Sequence, residues 1–245
     1  MSQWFAVDYT GGAFVLFGPS HWIALGVVGL ACLLVALLGR RFSPRARSWA
    51  RWGLLILIYA CEGSWQVWML ATSRWTIQGM LPLWLCSVTS WSMPLLLVWR
   101  SRRTYEWAYF MGSIGAVLAL STPDLTIYGF PHFRFIEFIT LHGAILVAVV
   151  YMTVVEGLRP TWASLPRVIL AANLFWLLCA GVNRLIGSNY LYTQGKLPTP
   201  SLLDVLGPHP WYLLSMEALG LLFILLLYLP FAIKDRWLCW NSRGK

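Results

Sequence analysis

Two side chains in this sequence carry the chemistry of nucleophilic catalysis. Cys86 supplies a thiol and His142 an imidazole. A thiol of ordinary pKa ~8.5 becomes a strong nucleophile when a neighbouring imidazole takes its proton. Both lie inside long apolar runs, where reactive and ionisable groups are costly and mark function by default. At ~1.5 Å of rise per residue, Cys86 stands about 8 Å beyond Leu81 and His142 about 10 Å beyond Phe135. Glu217 lies about 9 Å beyond Trp211 on the same scale, and Asn183 is close to the end of its own run. Four runs therefore bring a polar or reactive group to nearly one level. Asn183, a tyrosine or the N–H groups of a helix end are suited to stabilising an oxyanion there. Glu62 and Gln66 form an i, i+4 polar pair nearby, and Thr89 and Ser90 share the Cys86 face. The same residues also have a plainer reading. His142 is then an interhelical hydrogen-bonding residue, and Glu217 pairs with Arg184 or His142 to hold the helices together.

Other chemistries lack their signatures. The histidines are His21, His132, His142 and His209, with neither an i, i+4 pair nor a Cys/His pair at zinc spacing, so no metal is expected. There is no P-loop and no dinucleotide fingerprint, and no cofactor is expected. A retinal protein is disfavoured, because the last run has no lysine before Lys234. Cys32, Cys61 and Cys179 fall within apolar runs and Cys239 in the tail, so the cysteines form no external disulfide framework; a buried cysteine commonly acts as a small apolar filler.

The elements that position these groups follow from composition. The 245 residues are 59% hydrophobic and 11% charged, with a mean hydropathy of +0.66. A soluble domain carries about 25% charged residues, so the chain belongs in a bilayer. Crossing ~30 Å of hydrocarbon takes roughly 20 apolar residues. Seven runs qualify: Ser20–Leu38, Trp52–Ala71, Leu81–Trp99, Tyr105–Leu120, Phe135–Val155, Val168–Ile186 and Trp211–Phe231. The fourth is short and contains glycine. Continuous apolar runs without alternation argue against a β-barrel. The expected fold is all-α, a single seven-helix transmembrane domain spanning 1–245.

The net charge of +9 is a topology signal. Arg40, Arg41, Arg45, Arg47 and Arg51 fall between runs 1 and 2, Arg100, Arg102 and Arg103 between 3 and 4, and Arg159 and Arg167 between 5 and 6. Lys234, Arg236, Arg243 and Lys245 fall in the tail. Only Arg74, Arg134, Arg184 and Lys196 lie on the other side. The richer side is expected in the cytoplasm, with the N-terminus outside and the C-terminus inside. Nucleic-acid binding is not needed to explain this charge. The first 19 residues contain no Lys or Arg and therefore lack the basic region of a secretory signal; they read as a short external tail with the first run retained.

Runs 1, 3, 5 and 7 begin alike, with Gly18-Pro19, Gly79-Met80-Leu81-Pro82, Gly129-Phe130-Pro131 and Gly207-Pro208-His209-Pro210, each followed by an aromatic residue. Pro suits the first turn of a helix and Trp the membrane interface. Four helix N-termini at one face also favour an anion, and at that depth the available anion is a phospholipid phosphate, with Arg134 and Arg184 at the same level. Polar groups within the runs concentrate toward this outer half. Asn173 is the main one in the other half, so a cavity open to one leaflet is better supported than a through-pore.

Several phrases together resemble a known family. They are Leu81-Pro82-Leu83-Trp84-Leu85-Cys86-Ser87, Thr122-Pro123-Asp124, Gly129-Phe130-Pro131-His132-Phe133-Arg134-Phe135, Leu141-His142-Gly143, Val154-Val155-Glu156-Gly157-Leu158-Arg159-Pro160-Thr161-Trp162, Asn183 with Gly187-Ser188-Asn189-Tyr190, and Leu206-Gly207-Pro208-His209-Pro210-Trp211-Tyr212. The chain resembles bacterial YwaF-like integral membrane proteins, which are similar to vertebrate transmembrane protein 164, an acyltransferase acting on ether phospholipids. The resemblance implies a seven-helix membrane acyltransferase whose nucleophile is Cys86 and whose histidine is His142. Bacterial members often have a histidine two residues before the cysteine, where this chain has Trp84. The expected activity is acyl transfer between membrane phospholipids or lysolipids in the outer leaflet of a bacterial cytoplasmic membrane. Asn183, Glu217, Arg134, Arg184 and Glu62 are the expected substrate, oxyanion or headgroup contacts. A lipid-ester hydrolase using the same pair, and a lipid transporter or binding protein, are the alternatives.

Overall fold

The computed structural model describes residues 3–196 and 202–243. Lys245 and the side chains of Cys239 and Arg243 lie outside what it describes. All regular structure among the described residues is helical: α1 Pro19–Leu38, α2 Pro44–Ala71, α3 Leu85–Leu97, α4 Arg102–Trp107, α5 Ser113–Ser121, α6 Phe133–Val154, α7 Ser164–Ile186 and α8 Trp211–Arg243, with short 3-10 turns between. Five helical stretches are long and apolar enough to cross a membrane: Pro19–Arg41, Pro44–Ala71, Phe133–Val154, Ser164–Ile186 and Trp211–Trp237. The chain is thus a multi-pass membrane protein. The other two expected spans correspond to the 13-residue α3 and to the stretch α4–α5, which a π-helical turn interrupts at Ala108–Gly112.

The helix starts explain the boundaries. Pro19 opens α1 behind an extended Gly18. Ser43 caps α2 by accepting from the Ala46 N–H at 3.2 Å, so the helix begins well before Trp52 and takes Arg45, Arg47 and Arg51 into its first turns. Pro82 does not open α3 as expected. Leu81–Trp84 forms a tight turn, with Leu83 N–H donating to Leu81 O at 2.7 Å, and Trp84 is extended at the N-cap. A residue before proline is pushed away from helical dihedrals, which delays the helix by four positions. Cys86 therefore stands in the first turn of α3.

Helix α6 is the axis of the bundle: 72% of its most apolar stretch is buried, against 11–22% in the other four spans. It packs on α1, α2 and α5. The main core gathers Ile58 of α2, Met93 and Leu96 of α3, Ala116 of α5, and Ile145 and Met152 of α6. Lipid tails are as apolar as these side chains, so association depends on close fit through small residues. Gly143 of α6 provides it against α1, where a Cβ would lie 2.7 Å from Val28 Cγ2.

Ion pairs tie together one end of the bundle, here called the basic end. Glu156 accepts from Arg51 at 2.8 Å and is ion-paired with Arg100 at 3.2 Å. Glu106 accepts from Arg167 and from Ser164 Oγ, the latter at 2.8 Å. Arg159 meets Asp235 at 2.5 Å. At the other end the N-terminal segment folds over the helix mouths. Phe5 O accepts from Trp68 Nε1 at 3.0 Å, Ala6 O from His132 Nε2 at 3.1 Å, and Val7 O from Tyr128 Oη at 3.0 Å.

Candidate functional site

Three strands of packing converge at one point. A side chain on Gly112 would begin 2.9 Å from Thr89 Cγ2 of α3 and 3.5 Å from Ile145 Cγ2 of α6. Moving three residues along each chain away from the basic end reaches Cys86 on α3, Gly115 on α5 and His142 on α6. There a Cβ on Gly115 would lie 3.1 Å from Cys86 Sγ and 3.1 Å from Leu85 Cδ2. Cys86 and His142 thus share a level, one turn from a common contact. They make no hydrogen bond to each other. His142 is 7% exposed, while Cys86 is half-buried.

The hydrogen bonds of the four histidines separate His142 from the rest. His21 accepts from Phe17 N–H at 3.0 Å and donates through Nε2 to Leu120 O at 2.8 Å. His132 accepts from Arg134 N–H at 3.0 Å and donates to Ala6 O. Both rings are fully used in holding backbone. His209 meets Tyr212 at a tilt, with ring centroids 5.9 Å apart. His142 Nδ1 lies 2.7 Å from Phe138 O; a carbonyl only accepts, so Nδ1 carries the proton and the Nε2 lone pair of the neutral ring is left as the basic site.

The turn that delays α3 matters chemically. Among the described residues, the N–H groups of Leu85, Cys86 and Ser87 have no hydrogen-bond partner, as expected for the first turn of a helix without a side-chain cap. They put the positive end of a 13-residue helix at the turn that carries Cys86. Three hydroxyls stiffen the next turns by donating back to carbonyls: Thr89 to Leu85 O at 2.8 Å, Ser90 to Cys86 O at 2.9 Å and Ser92 to Thr89 O at 2.7 Å.

Asn183 has its polar atoms engaged locally. It is buried, donates to Tyr190 O at 2.8 Å and Thr193 Oγ1 at 2.7 Å, and accepts from Ser188 Oγ at 2.6 Å and Tyr190 N–H at 2.8 Å. An amide side chain has two donors and two acceptor positions, and all four are occupied. What Asn183 shapes is the loop after α7. Tyr190 Oη accepts from Leu81 N–H at 2.9 Å and donates to Ile77 O at 2.7 Å. The rings of Tyr190 and Tyr192 flank Trp84 at 5.3 and 5.4 Å. Trp84 caps α3 and donates to Gly79 O at 2.9 Å.

Glu217 accepts from Asn173 Nδ2 at 3.0 Å, linking α8 to α7, and pairs with neither Arg184 nor His142. Arg184 is exposed at the end of α7. Arg134 is drawn inward, bonded to Glu137 at 2.5 Å and stacked on Trp65 at 3.8 Å and Phe138 at 4.9 Å. Glu62 is buried beside it, facing Ser87, Gln66 and Trp91. One carboxylate oxygen on each of Glu62 and Glu137 is buried without a partner among the described residues. Glu137 was legible as an acid three residues after Arg134 inside an apolar run, yet sequence reasoning passed over it. The Gly112 and Gly115 contacts had only the glycine content of the fourth run as a signal, and the roles of Tyr190 and Tyr192 had none.

No group of three or more His, Cys, Asp or Glu able to hold a metal occurs among the described residues. Compared with known families, residues 16–228 match the model of the TMEM164 family. No curated protein and no solved structure matches the chain.

Proposed function

The chain belongs to the TMEM164 family, and from that premise we propose that it is a membrane acyltransferase in which Cys86 and His142 transfer a fatty acyl group between phospholipids. His142 Nε2 takes the thiol proton as Cys86 Sγ attacks the ester carbonyl of a phospholipid. The carbonyl oxygen becomes an oxyanion, held by the unpartnered N–H groups at the start of α3. Collapse breaks the bond to the glycerol oxygen, which leaves as a lysophospholipid hydroxyl carrying the proton from His142. The acyl thioester on Cys86 is then attacked by the hydroxyl of an acceptor lipid, whose proton passes to His142. Collapse of the second intermediate returns that proton to Sγ, restoring the thiol. The basic end faces the cytoplasm in this reading, which puts the site within reach of outer-leaflet lipid in a bacterial cytoplasmic membrane.

The observation that carries the proposal is the shared level of Cys86 and His142, with an unbonded Nε2 on the histidine and unpartnered N–H groups in the helical turn that bears the cysteine. The test is intact-mass analysis of protein incubated with phospholipid. A hydroxylamine-sensitive acyl adduct is expected and disappears in Cys86→Ala; an adduct that persists in that variant overturns the assignment. Release of free fatty acid regardless of added lysolipid would identify a hydrolase using the same pair. The buried, incompletely partnered Glu62 and Glu137 favour a second reading, a lipid-binding or transport protein. It predicts that Cys86→Ser retains activity while Glu62→Gln abolishes it.

A further inference from the structure

A groove of about 350 Å³ opens between α3, α4 and α7. Its walls are two i, i+4 pairs, Val88 and Ser92 of α3 and Arg103 and Trp107 of α4, faced by Phe175 of α7. The Trp107 indole is fixed by donating from Nε1 to Thr89 Oγ1 at 3.1 Å and meets Phe175 edge-on at 5.8 Å. Beyond the groove α7 reaches the turn ahead of α3, where Cys179 Sγ lies 3.7 Å from Leu83 O.

The polar groups of this groove are strongly asymmetric. Ser92 Oγ donates to Thr89 O, and Thr104 Oγ1 donates to Ser101 Oγ at 3.0 Å, so neither hydroxyl has a proton to offer. The remaining donor is the Arg103 guanidinium at the basic end. In the Arg100, Arg102, Arg103 cluster, Arg100 pairs with Glu156 and Arg102 with Glu106. Arg103 contributes to the field at Glu106 but forms neither an ion pair nor a hydrogen bond among the described residues. The groove thus offers an apolar slot with one cation at its mouth that makes no direct ion pair or hydrogen bond among the described residues.

We propose that this groove binds one anionic phospholipid, its acyl chain along Val88, Trp107 and Phe175 and its phosphate on Arg103. A chain fills the apolar length without leaving a buried donor unmet, and the phosphate supplies the charge that Arg103 lacks. The site is separate from Cys86 and does not depend on acyl transfer.

The test uses the full-length protein in vesicles containing phosphatidylglycerol or phosphatidylcholine with a photoactivatable diazirine on the acyl chain. Labelling is mapped to the peptides that carry Val88 and Phe175. One basic residue near an anionic headgroup contributes ~1 kcal/mol, about fivefold in occupancy, so phosphatidylglycerol is expected to label these peptides about five times more than phosphatidylcholine. Arg103→Gln, an exposed change, brings the two lipids to the same level, and Val88→Trp removes labelling by filling the slot. Cys86→Ala leaves the pattern unchanged, which separates this result from the fate of the acyltransferase reading. Equal labelling by both lipids in the unmodified protein, a lipid preference that survives Arg103→Gln, or chain labelling that survives Val88→Trp overturns the proposal.

Discussion

Cys86 Sγ of α3 lies 3.1 Å from the position at which a side chain on Gly115 of α5 would begin. The thiol is seated against bare backbone, and that contact fixes where it can point.

A methyl group at Gly115 would sit 3.1 Å from Cys86 Sγ and from Leu85 Cδ2, tight enough that both side chains must shift by a few tenths of an ångström. Gly115→Ala is expected to slow acyl-adduct formation by turning Cys86 aside, with only a small change in stability, since two side-chain ends and not backbone give way. Gly26→Ala, where a Cβ meets nothing within 4 Å, serves as the control and leaves adduct formation unchanged. Thermal unfolding in detergent and adduct mass spectrometry read the two effects.

The Phe138 carbonyl sets which nitrogen of His142 is free. Removal of the ring in His142→Ala is expected to lower the rate of adduct formation by about 10²–10⁴, the usual contribution of a general base. His132→Ala, which removes an imidazole committed to Ala6 O and Arg134 N–H, costs stability and leaves the rate of the folded fraction within a few fold. Rates are compared at equal folded protein by intact-mass time courses.

Asn183 acts through the loop it holds. Asn183→Ala frees the Tyr190 N–H and the Ser188 and Thr193 hydroxyls from their partners, and each unmet buried group costs about 1–3 kcal/mol. Faster proteolysis within Gly187–Lys196 and faster maleimide labelling at Cys86 are the expected outcomes. Unchanged rates of both contradict a loop-holding role.

Burial holds the His132 imidazole below its ordinary value of 6.5, with its bond to Ala6 O offsetting part of the shift. The folded protein thus prefers the neutral ring. Its contribution to stability is fully present above about pH 6.5 and is lost as pH falls through the lower folded value, because the unfolded chain then binds the extra proton. The unfolding temperature should decline below about pH 6.5, and His132→Gln should flatten that part of the curve.

Apolar run length alone located the five long helices, since crossing hydrocarbon demands little beyond continuous hydrophobicity. The starts of α2 and α3 escaped the same reasoning. Arg45, Arg47 and Arg51 are polar yet helical, because Ser43 and Pro44 open α2 before the apolar run begins. Leu81–Trp84 is apolar yet a turn, because Pro82 disfavours helix at the residue before it. The level shared by Cys86 and His142 was legible because α3 and α6 start at the same end of the bundle, so that residue counts from the two starts convert into depth. The inward course of Arg134 toward Glu137 and the consumption of Asn183 were not, because each depends on which neighbour a side chain meets across a helix or loop.

The π-helical turn at Ala108–Gly112 has a consequence for how this chain tolerates insertion and deletion. Such a turn accommodates one residue more than the ordinary helical repeat, and each residue of an α-helix advances the side-chain direction by about 100°. With that extra residue, Glu106 can reach Arg167 and Ser164 of α7 while Gly115, farther along, faces Cys86 of α3. Loss of a single residue between Ala108 and Gly112 would let the turn revert to ordinary α-helix, with Glu106 and Gly115 kept close to their present faces. A second loss in the same stretch would find no extra residue to absorb it and would turn Gly115 by about 100° away from the thiol.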